Sequence, residues 1–131
     1  MTQSVLIVDD EFGLADITAD LLIEAGYDVA LAINGKLGLT SLATRRADIV
    51  LTDLMMPVMD GPEMIRRMRA DPRLASIPAI LMTALPEAVP TGEAAMHDAV
   101  LVKPFSMTEL LEVVHRLLPP APPAGPTIEP G

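Results

Sequence analysis

Short apolar runs recur along the chain and predict five strands. The runs cover residues 5–8, 29–32, 49–51, 79–82 and 100–102. They contain three or four consecutive apolar residues without polar alternation, which is typical of strands buried on both faces of a parallel sheet. Segments with helical spacing lie between them, so the chain alternates strand and helix.

The helical segments carry local signals for where each helix begins and ends. An apolar face on the first helix is predicted from Leu14, Ile17, Leu21 and Ala25. Gly26 is well placed to end this helix, and Asn34 can cap the second one. The third helix carries Met64, Ile65 and Met68. Ser106 followed by Glu109 predicts a capping box at the start of the last helix.

The segment between the fourth and fifth strands is the weakest helix candidate. Pro86, Pro90 and Gly92 each disfavour a helix interior. The sequence therefore predicts, at most, a short or irregular fourth helix near residues 92–97. The whole pattern predicts a doubly wound (βα)5 α/β fold of the flavodoxin-like type, with a five-stranded parallel sheet in the order 2-1-3-4-5.

The composition changes after residue 118. Residues 119–131 contain six prolines and almost no apolar side chain. This composition is typical of an extended tail or linker. We therefore expect one domain over residues 1–118 and a disordered Pro-rich tail or linker over 119–131.

The overall composition excludes several classes of function. The 131 residues are 50% hydrophobic but only 2% aromatic, and the net charge is −9. An acidic chain with few aromatic side chains is not expected to bind nucleic acid directly. The chain has no cysteine, which excludes disulfides and thiolate chemistry. It shows neither a signal-peptide pattern nor a long apolar span, so we expect a cytoplasmic protein that does not enter a membrane.

Polar side chains stand where the predicted strands end. Asp9 and Asp10 follow the first strand, Asp53 follows the third, Thr83 the fourth and Lys103 the fifth. In a parallel sheet these ends share one edge, so the side chains should converge. Carboxylates about 4 Å apart repel by roughly 4 kcal/mol at an effective dielectric near 20, which a divalent cation would relieve. All-oxygen ligands favour Mg²⁺, with Mn²⁺ as a possible substitute.

Lys103 and Thr83 indicate which reaction the metal site would support. A cation after a buried strand needs a fixed anion nearby, and a hydroxyl can donate a hydrogen bond to the same oxygen. A carboxylate between a metal and an ammonium group suits nucleophilic attack on phosphorus.

Four segments resemble the response-regulator receiver domain of two-component signalling. They lie at residues 8–11, 53–61, 82–84 and 103–105, in order and each at a strand end. The resemblance covers residues 4–118. It implies a cytoplasmic domain that accepts a phosphoryl group from a histidine kinase or histidine phosphotransfer protein and switches its protein contacts, without being a turnover enzyme. The downstream target or output domain is unknown.

The resemblance also implies roles for individual residues. Asp53 would be the phosphoacceptor. The metal would be held by Asp9, Asp10, Asp53 and the backbone carbonyl of Met55. Phosphoryl binding and switching would involve Thr83, Ala84 and Lys103. The loops would be shaped by Pro57, Gly61 and Pro104, with a cis bond before Pro104.

The family pattern is altered at Val100 and in the short, Pro-rich stretch between Thr83 and Lys103, and two apolar side chains near the site carry a further prediction. Val100 stands where receiver domains commonly place Tyr or Phe, so we expect backbone rearrangement near residues 85–92 to replace an aromatic switch. The resemblance also implies that the side chains two places after Asp53 and Thr83 influence water attack on the acyl phosphate. Here these are the apolar Met55 and Leu85, so we expect slow self-dephosphorylation.

The remaining charged residues are expected to be structural. Arg66, Arg67 and Arg69 are predicted to form the solvated face of the third helix, and neither His97 nor His115 is expected to bind metal or phosphate.

Three other functions stay open at this point. A protein-binding module of the same fold could signal without phosphorylation. A metal-dependent phosphohydrolase would need an acid–base partner that Met55 does not provide. A flavodoxin-like electron carrier would need a loop rich in Ser, Thr or Gly after the first strand, where this chain has acidic residues.

Overall fold

The computed structural model describes residues 2–119 and confirms the doubly wound α/β fold. Five parallel strands form one sheet in the order β2-β1-β3-β4-β5. The strands are β1 (Ser4–Val8), β2 (Asp28–Ala32), β3 (Ile49–Asp53), β4 (Ala79–Thr83) and β5 (Ala99–Val102). The helices are α1 (Phe12–Glu24), α2 (Gly35–Thr44), α3 (Gly61–Ala70) and α4 (Met107–Leu117). Residues 120–131, most of the predicted tail, lie outside the described residues.

Alternating side chains of the strands divide the core into two layers. Val5 and Ile7 pack on one face of the sheet with Leu110 and Val114 of α4. Leu6 on the opposite face belongs to a layer that also contains Met64 and Met68 of α3. Burial on both faces explains why the strand sequences are continuous apolar runs.

The local helix signals are confirmed. Asn34 accepts a hydrogen bond from the amide of Leu37, and Ser106 and Glu109 form the predicted capping box. Gly26 ends α1 with a φ of 103°, a left-handed conformation that glycine adopts without strain.

The predicted apolar face of α1 is wrong for Leu14, Ile17 and Ala25, which are exposed, whereas Leu21 is half-buried and packs against the core. The buried residues of this helix are Ala15, Thr18, Ala19 and Leu22. Leu14 and Ile17 are 45% and 60% exposed. Ala15, Ala19 and Leu22 belong to the core layer that also contains Val5 and Ile7.

The β4–β5 connection, residues 84–98, contains no α-helix. It forms two 3₁₀ turns, Pro86–Ala88 and Gly92–Ala94. The irregular fourth helix is confirmed, but the predicted helical stretch over 92–97 is only one turn long. Proline removes amide donors at residues 86 and 90, so a continuous helix cannot extend through this segment. Within residues 2–119, no helix has the length and apolar character needed to cross a bilayer.

Candidate phosphoacceptor site

Three carboxylates meet at the carboxyl edge of the sheet. Asp9 and Asp10 directly follow β1, and Asp53 is the last residue of β3, the adjacent strand. One carboxylate oxygen from each residue lies within 4.8 Å of the others. Asp9 and Asp53 are buried, whereas Asp10 is exposed. The site is therefore an acidic pit with one solvent-facing carboxylate.

Lys103 follows β5 and reaches into the same pit. Its Nζ lies 2.8 Å from Oδ1 of Asp53 and 3.5 Å from Oδ2 of Asp9. The Lys103–Pro104 peptide bond is cis, as the resemblance implied. The ammonium group thus forms ion pairs with both buried carboxylates.

The pKa values of Asp53 and Lys103 depend on both burial and neighbouring charges. Burial raises the pKa of the Asp53 carboxyl, the Lys103 hydrogen bond lowers it, and the charges of Asp9 and Asp10 raise it, so that the net direction is upward. Burial alone would lower the pKa of the Lys103 ammonium, but the hydrogen bond and charge of Asp53 outweigh burial and raise it. Lys103 therefore stays cationic and offsets part of the carboxylate repulsion.

Backbone contacts hold two side chains of the site. The Glu11 amide donates to Oδ1 of Asp9 at 2.9 Å. Thr83 ends β4, and its Oγ1 accepts a hydrogen bond of 2.9 Å from the Leu85 amide. The hydroxyl hydrogen of Thr83 forms no hydrogen bond to Asp53 or Lys103 among the described residues.

The loop after Asp53 begins α3 beside the site. Gly61 is tightly constrained, because a Cβ atom there would collide with the carbonyl oxygen of Asp53. Asp60 caps α3 by accepting from the Glu63 amide. Met55, Pro57 and Ala84 are exposed around the site, and the backbone of Val58 has a φ of 71°.

The donor set fits a hard divalent cation. It contains carboxylate oxygens only, of which two are buried, and the cluster includes neither histidine nor cysteine. Oxygen ligands of this kind suit Mg²⁺ or Mn²⁺. The exposed Asp10 leaves room for waters, which Mg²⁺ usually retains.

The structure brings together four of the five residues predicted to converge: Asp9, Asp10, Asp53 and Lys103. Thr83 occupies the predicted strand end and pairs in register with Val102, the residue before Lys103. Sequence reasoning missed the role of Arg69, whose side chain is only 21% exposed. It is not on the solvated face of α3, because it donates to the carbonyls of Ala75, Ile77 and Met96 and pairs with Asp98.

Comparisons with known proteins agree with this geometry. The family profile described as "Response regulator receiver domain" matches residues 5–115. The chain is 33% identical to sporulation initiation phosphotransferase F of Bacillus subtilis, over 91% of this chain and 96% of that protein. It is 36% identical to the DNA-binding dual master transcriptional regulator RpaA of Synechocystis, over 87% of this chain. The match covers 48% of RpaA, so the chain spans about half the length of that relative.

Solved structures show the same architecture. Chemotaxis response regulator CheY4 of Vibrio cholerae superposes with a TM-score of 0.83 at 32% identity, covering 90% of this chain and 100% of that one. The receiver domain of sensor histidine kinase PA1611 from Pseudomonas aeruginosa was solved with magnesium in its active site cleft. It superposes with a TM-score of 0.81 at 29% identity, covering 89% of this chain and 98% of that one. The chain therefore belongs to the response regulator receiver domain family of two-component signalling.

Proposed function

We propose that the chain accepts a phosphoryl group on Asp53 in a Mg²⁺-dependent reaction. The observation that carries this proposal is the contact of the buried Asp53 carboxylate with Lys103, beside the carboxylates of Asp9 and Asp10. A carboxylate oxygen of Asp53 attacks phosphorus, the P–N bond of a phosphohistidine breaks, and its electron pair returns to the imidazole nitrogen.

Each surrounding group has a part in this step. Asp9, Asp10, Asp53 and the carbonyl of Met55 would hold Mg²⁺ or Mn²⁺, which neutralises charge on the phosphoryl oxygens when bound. Lys103 would stabilise a phosphoryl oxygen from the other side. Thr83 would rotate from its contact with Leu85 to donate its hydroxyl hydrogen, next to Ala84. Pro57, Gly61 and Pro104 would shape the surrounding loops.

The donor is proposed to be a histidine kinase or a histidine phosphotransfer protein. Receiver domains partner with such proteins, and the exposed Leu14 and Ile17 of α1 provide an apolar docking surface on the helix that follows the acidic cluster. The downstream protein target or output domain is not identified. With a net charge of −9, this chain is not expected to contact nucleic acid itself, and its cytoplasmic location stays a prediction.

The response to phosphorylation is proposed to use the backbone. Val100 is half-buried on β5 and offers no aromatic ring that could rotate. The neighbouring β4–β5 connection is exposed over residues 84–88, so it can rearrange with little loss of buried surface. Inactive and phosphorylated structures with identical backbones over residues 85–92 would contradict this.

The phosphoacceptor is tested by incubating the protein with acetyl phosphate and Mg²⁺ and measuring its intact mass. We expect the wild type to gain one HPO₃ unit and Asp53→Asn to gain none. Asp60→Asn is the matched control, since asparagine also caps a helix and this residue lies on the same loop. Omitting Mg²⁺ should also prevent the gain.

A binding module of the same fold that works without phosphorylation is the second candidate. The departure of the β4–β5 connection from the family pattern favours it, because this segment has two 3₁₀ turns in place of a regular helix. An unmodified wild-type protein in the acetyl phosphate experiment would support this candidate.

A further inference from the structure

A second cavity lies near the amino ends of the strands, away from the acidic site. It has a volume of about 400 Å³ and is lined by the ends of α2 and α3 and the residues that follow them. Arg45 and Arg46 of its lining precede Ile49, the first residue of β3, whereas Asp53 is the last. At about 3.3 Å per residue the strand separates the two regions by roughly 13 Å.

The rim of this cavity is cationic although the chain is acidic. The chain has a net charge of −9 and seven arginines, of which four line this one cavity. These are Arg45, Arg46, Arg67 and Arg73. Among the lining residues that lie within the described part of the chain, Asp71 is the only acidic one. The rim therefore concentrates positive charge where the rest of the molecule would repel an anion.

Two of the four arginines lack an acidic partner in the described part of the chain. Arg67 lies 2.8 Å from Glu63, and Arg73 lies 3.1 Å from Asp71. Over residues 2–119, Arg45 and Arg46 form no ion pair. Arg46 instead donates a hydrogen bond of 3.4 Å to the Arg73 carbonyl, which joins the two sides of the rim.

The floor of the cavity is apolar. Leu42 of α2 and Leu74 are 5% and 9% exposed and belong to the core layer beneath. Leu39 and Ala43 extend this lining. A ligand that fills the cavity would therefore contact hydrocarbon below and guanidinium groups around it.

Helix dipoles explain only part of this arrangement. A cation at a helix C-terminus is stabilised by the dipole, which accounts for Arg45 at the end of α2. The dipole effect is confined to the last turn, however, and Arg73 lies beyond Asp71, the residue that caps α3. It also does not explain why these arginines line the same cavity as Leu39, Leu42 and Leu74.

We propose that this cavity binds a nucleoside phosphate, with the base on the leucine floor and the phosphates on the arginine rim. Guanidinium groups bind phosphate oxygens through paired hydrogen bonds and stack on planar rings. The volume falls within the roughly 300–1,000 Å³ typical of small-molecule sites. The apolar floor consists of only three leucines and one alanine, so it suits one ring system better than an extended acidic peptide.

The test is a titration followed by amide chemical shifts of the Asp53→Asn protein, without Mg²⁺ or phosphodonor. This variant keeps the result independent of the proposed phosphoacceptor chemistry. ATP and GTP are compared with tripolyphosphate and with adenosine. We expect the nucleotides to shift amides in residues 39–46 and 67–74, with much weaker effects from the two fragments.

Two matched variants test whether the arginines of the rim contribute to nucleotide binding. Arg45→Ala combined with Arg46→Ala should weaken nucleotide binding about tenfold or more, since it removes the two rim cations that form no ion pair within residues 2–119. Arg116→Ala removes the same charge from α4, outside the cavity, and should change affinity less than about twofold.

Several results would overturn the proposal. No shifts in these residues at millimolar nucleotide would do so, as would equal binding of tripolyphosphate, which would indicate a general anion patch. Tighter binding of a polyglutamate peptide would indicate a protein partner. Self-association that is lost in the Arg45 and Arg46 variant would indicate a second copy of this chain.

Discussion

The two sides of the proposed phosphoacceptor region are built very differently. The acceptor edge, defined as Asp9, Asp10, Asp53 and Lys103, lies at the carboxyl ends of β1, β3 and β5, and the first two of these strands are almost completely buried. The β4–β5 connection has only two 3₁₀ turns, and its residues 84–88 are exposed. Ladder hydrogen bonds and packing on both faces position the acceptor edge, so its geometry does not need a regular helix in the connection.

The connection is nevertheless anchored at its far end. Arg69 of α3 donates to the Met96 carbonyl and pairs with Asp98 at 2.8 Å. Asp98 also accepts from the Ala79 amide at the start of β4. The half-buried Arg69 thus holds the end of the connection that precedes β5. Residues 84–88, at the other end, make none of these contacts.

The largest expected effect is on the acceptor edge and comes from Gly61→Ala. The new Cβ would collide with the Asp53 carbonyl and lie 2.9 Å from a Leu81 methyl group. We expect a loss of about 3 kcal/mol in the free energy of unfolding, measured in urea, together with loss of phosphorylation. Gly13→Ala is the control: nothing lies within 4 Å of its Cβ, and it should stabilise α1 by about 0.5–1 kcal/mol. Equal stabilities of the two variants would refute the constraint.

Arg69→Ala should affect the connection more than the acceptor edge. It removes hydrogen bonds to three carbonyls and the pair with Asp98, so we expect a loss of about 2 kcal/mol. Hydrogen exchange should accelerate in residues 84–98 and stay slow in β3. Arg66→Ala, which breaks only an exposed pair with Glu63, should cost less than about 0.5 kcal/mol. Uniform acceleration across the sheet would show that Arg69 supports the whole fold instead.

A third prediction concerns the lifetime of the phosphorylated form. Met55 and Leu85 are 66% and 49% exposed and come from the loops after Asp53 and Thr83. Met55→Asn with Leu85→Glu should admit and orient water, which would shorten the half-life about tenfold, or about 1.4 kcal/mol in barrier. Val58→Asn on the same loop, where asparagine tolerates the positive φ, should leave the half-life unchanged. An unchanged half-life in the double variant would eliminate the shielding idea.

The smallest expected effect is the pH dependence of the acceptor edge. The folded pKa of Asp53 lies above its ordinary value of 3.8, mainly through burial, so ionisation of this carboxyl disfavours the folded state. The stability of the wild type relative to Asp53→Asn should therefore fall as pH rises from about 4 through the folded pKa, and then level off. Urea midpoints of both proteins across this range provide the measurement. If the wild type instead became more stable relative to Asp53→Asn as pH rises, the folded pKa of Asp53 would lie below its ordinary value.

Much of the acceptor edge was predictable because its signals are local. A buried parallel strand requires a continuous apolar run, and the polar residue that follows must emerge at the carboxyl edge of the sheet. Asp53 and Lys103 could therefore be placed together from their positions after two such runs. The caps at Asn34 and Ser106 were equally predictable, since each depends on residues within one helical turn.

Other features depended on packing between elements distant in sequence. The buried face of α1 carries Ala15, Thr18, Ala19 and Leu22. Hydrophobic spacing alone selected Leu14 and Ile17 instead. Arg69 belongs to an arginine-rich helix face by sequence, yet its partners lie up to 29 residues away.

The sequence by itself thus determined where the strands lie, which polar residue stands at the end of each strand, and which chemical groups those strand ends bring together. The tertiary structure alone decided which helix face is exposed, what anchors the β4–β5 connection and where the arginines enclose a cavity. The physical reason is range: strand burial and capping act over a few residues, whereas side-chain packing and ion pairing depend on three-dimensional neighbours that no local pattern specifies.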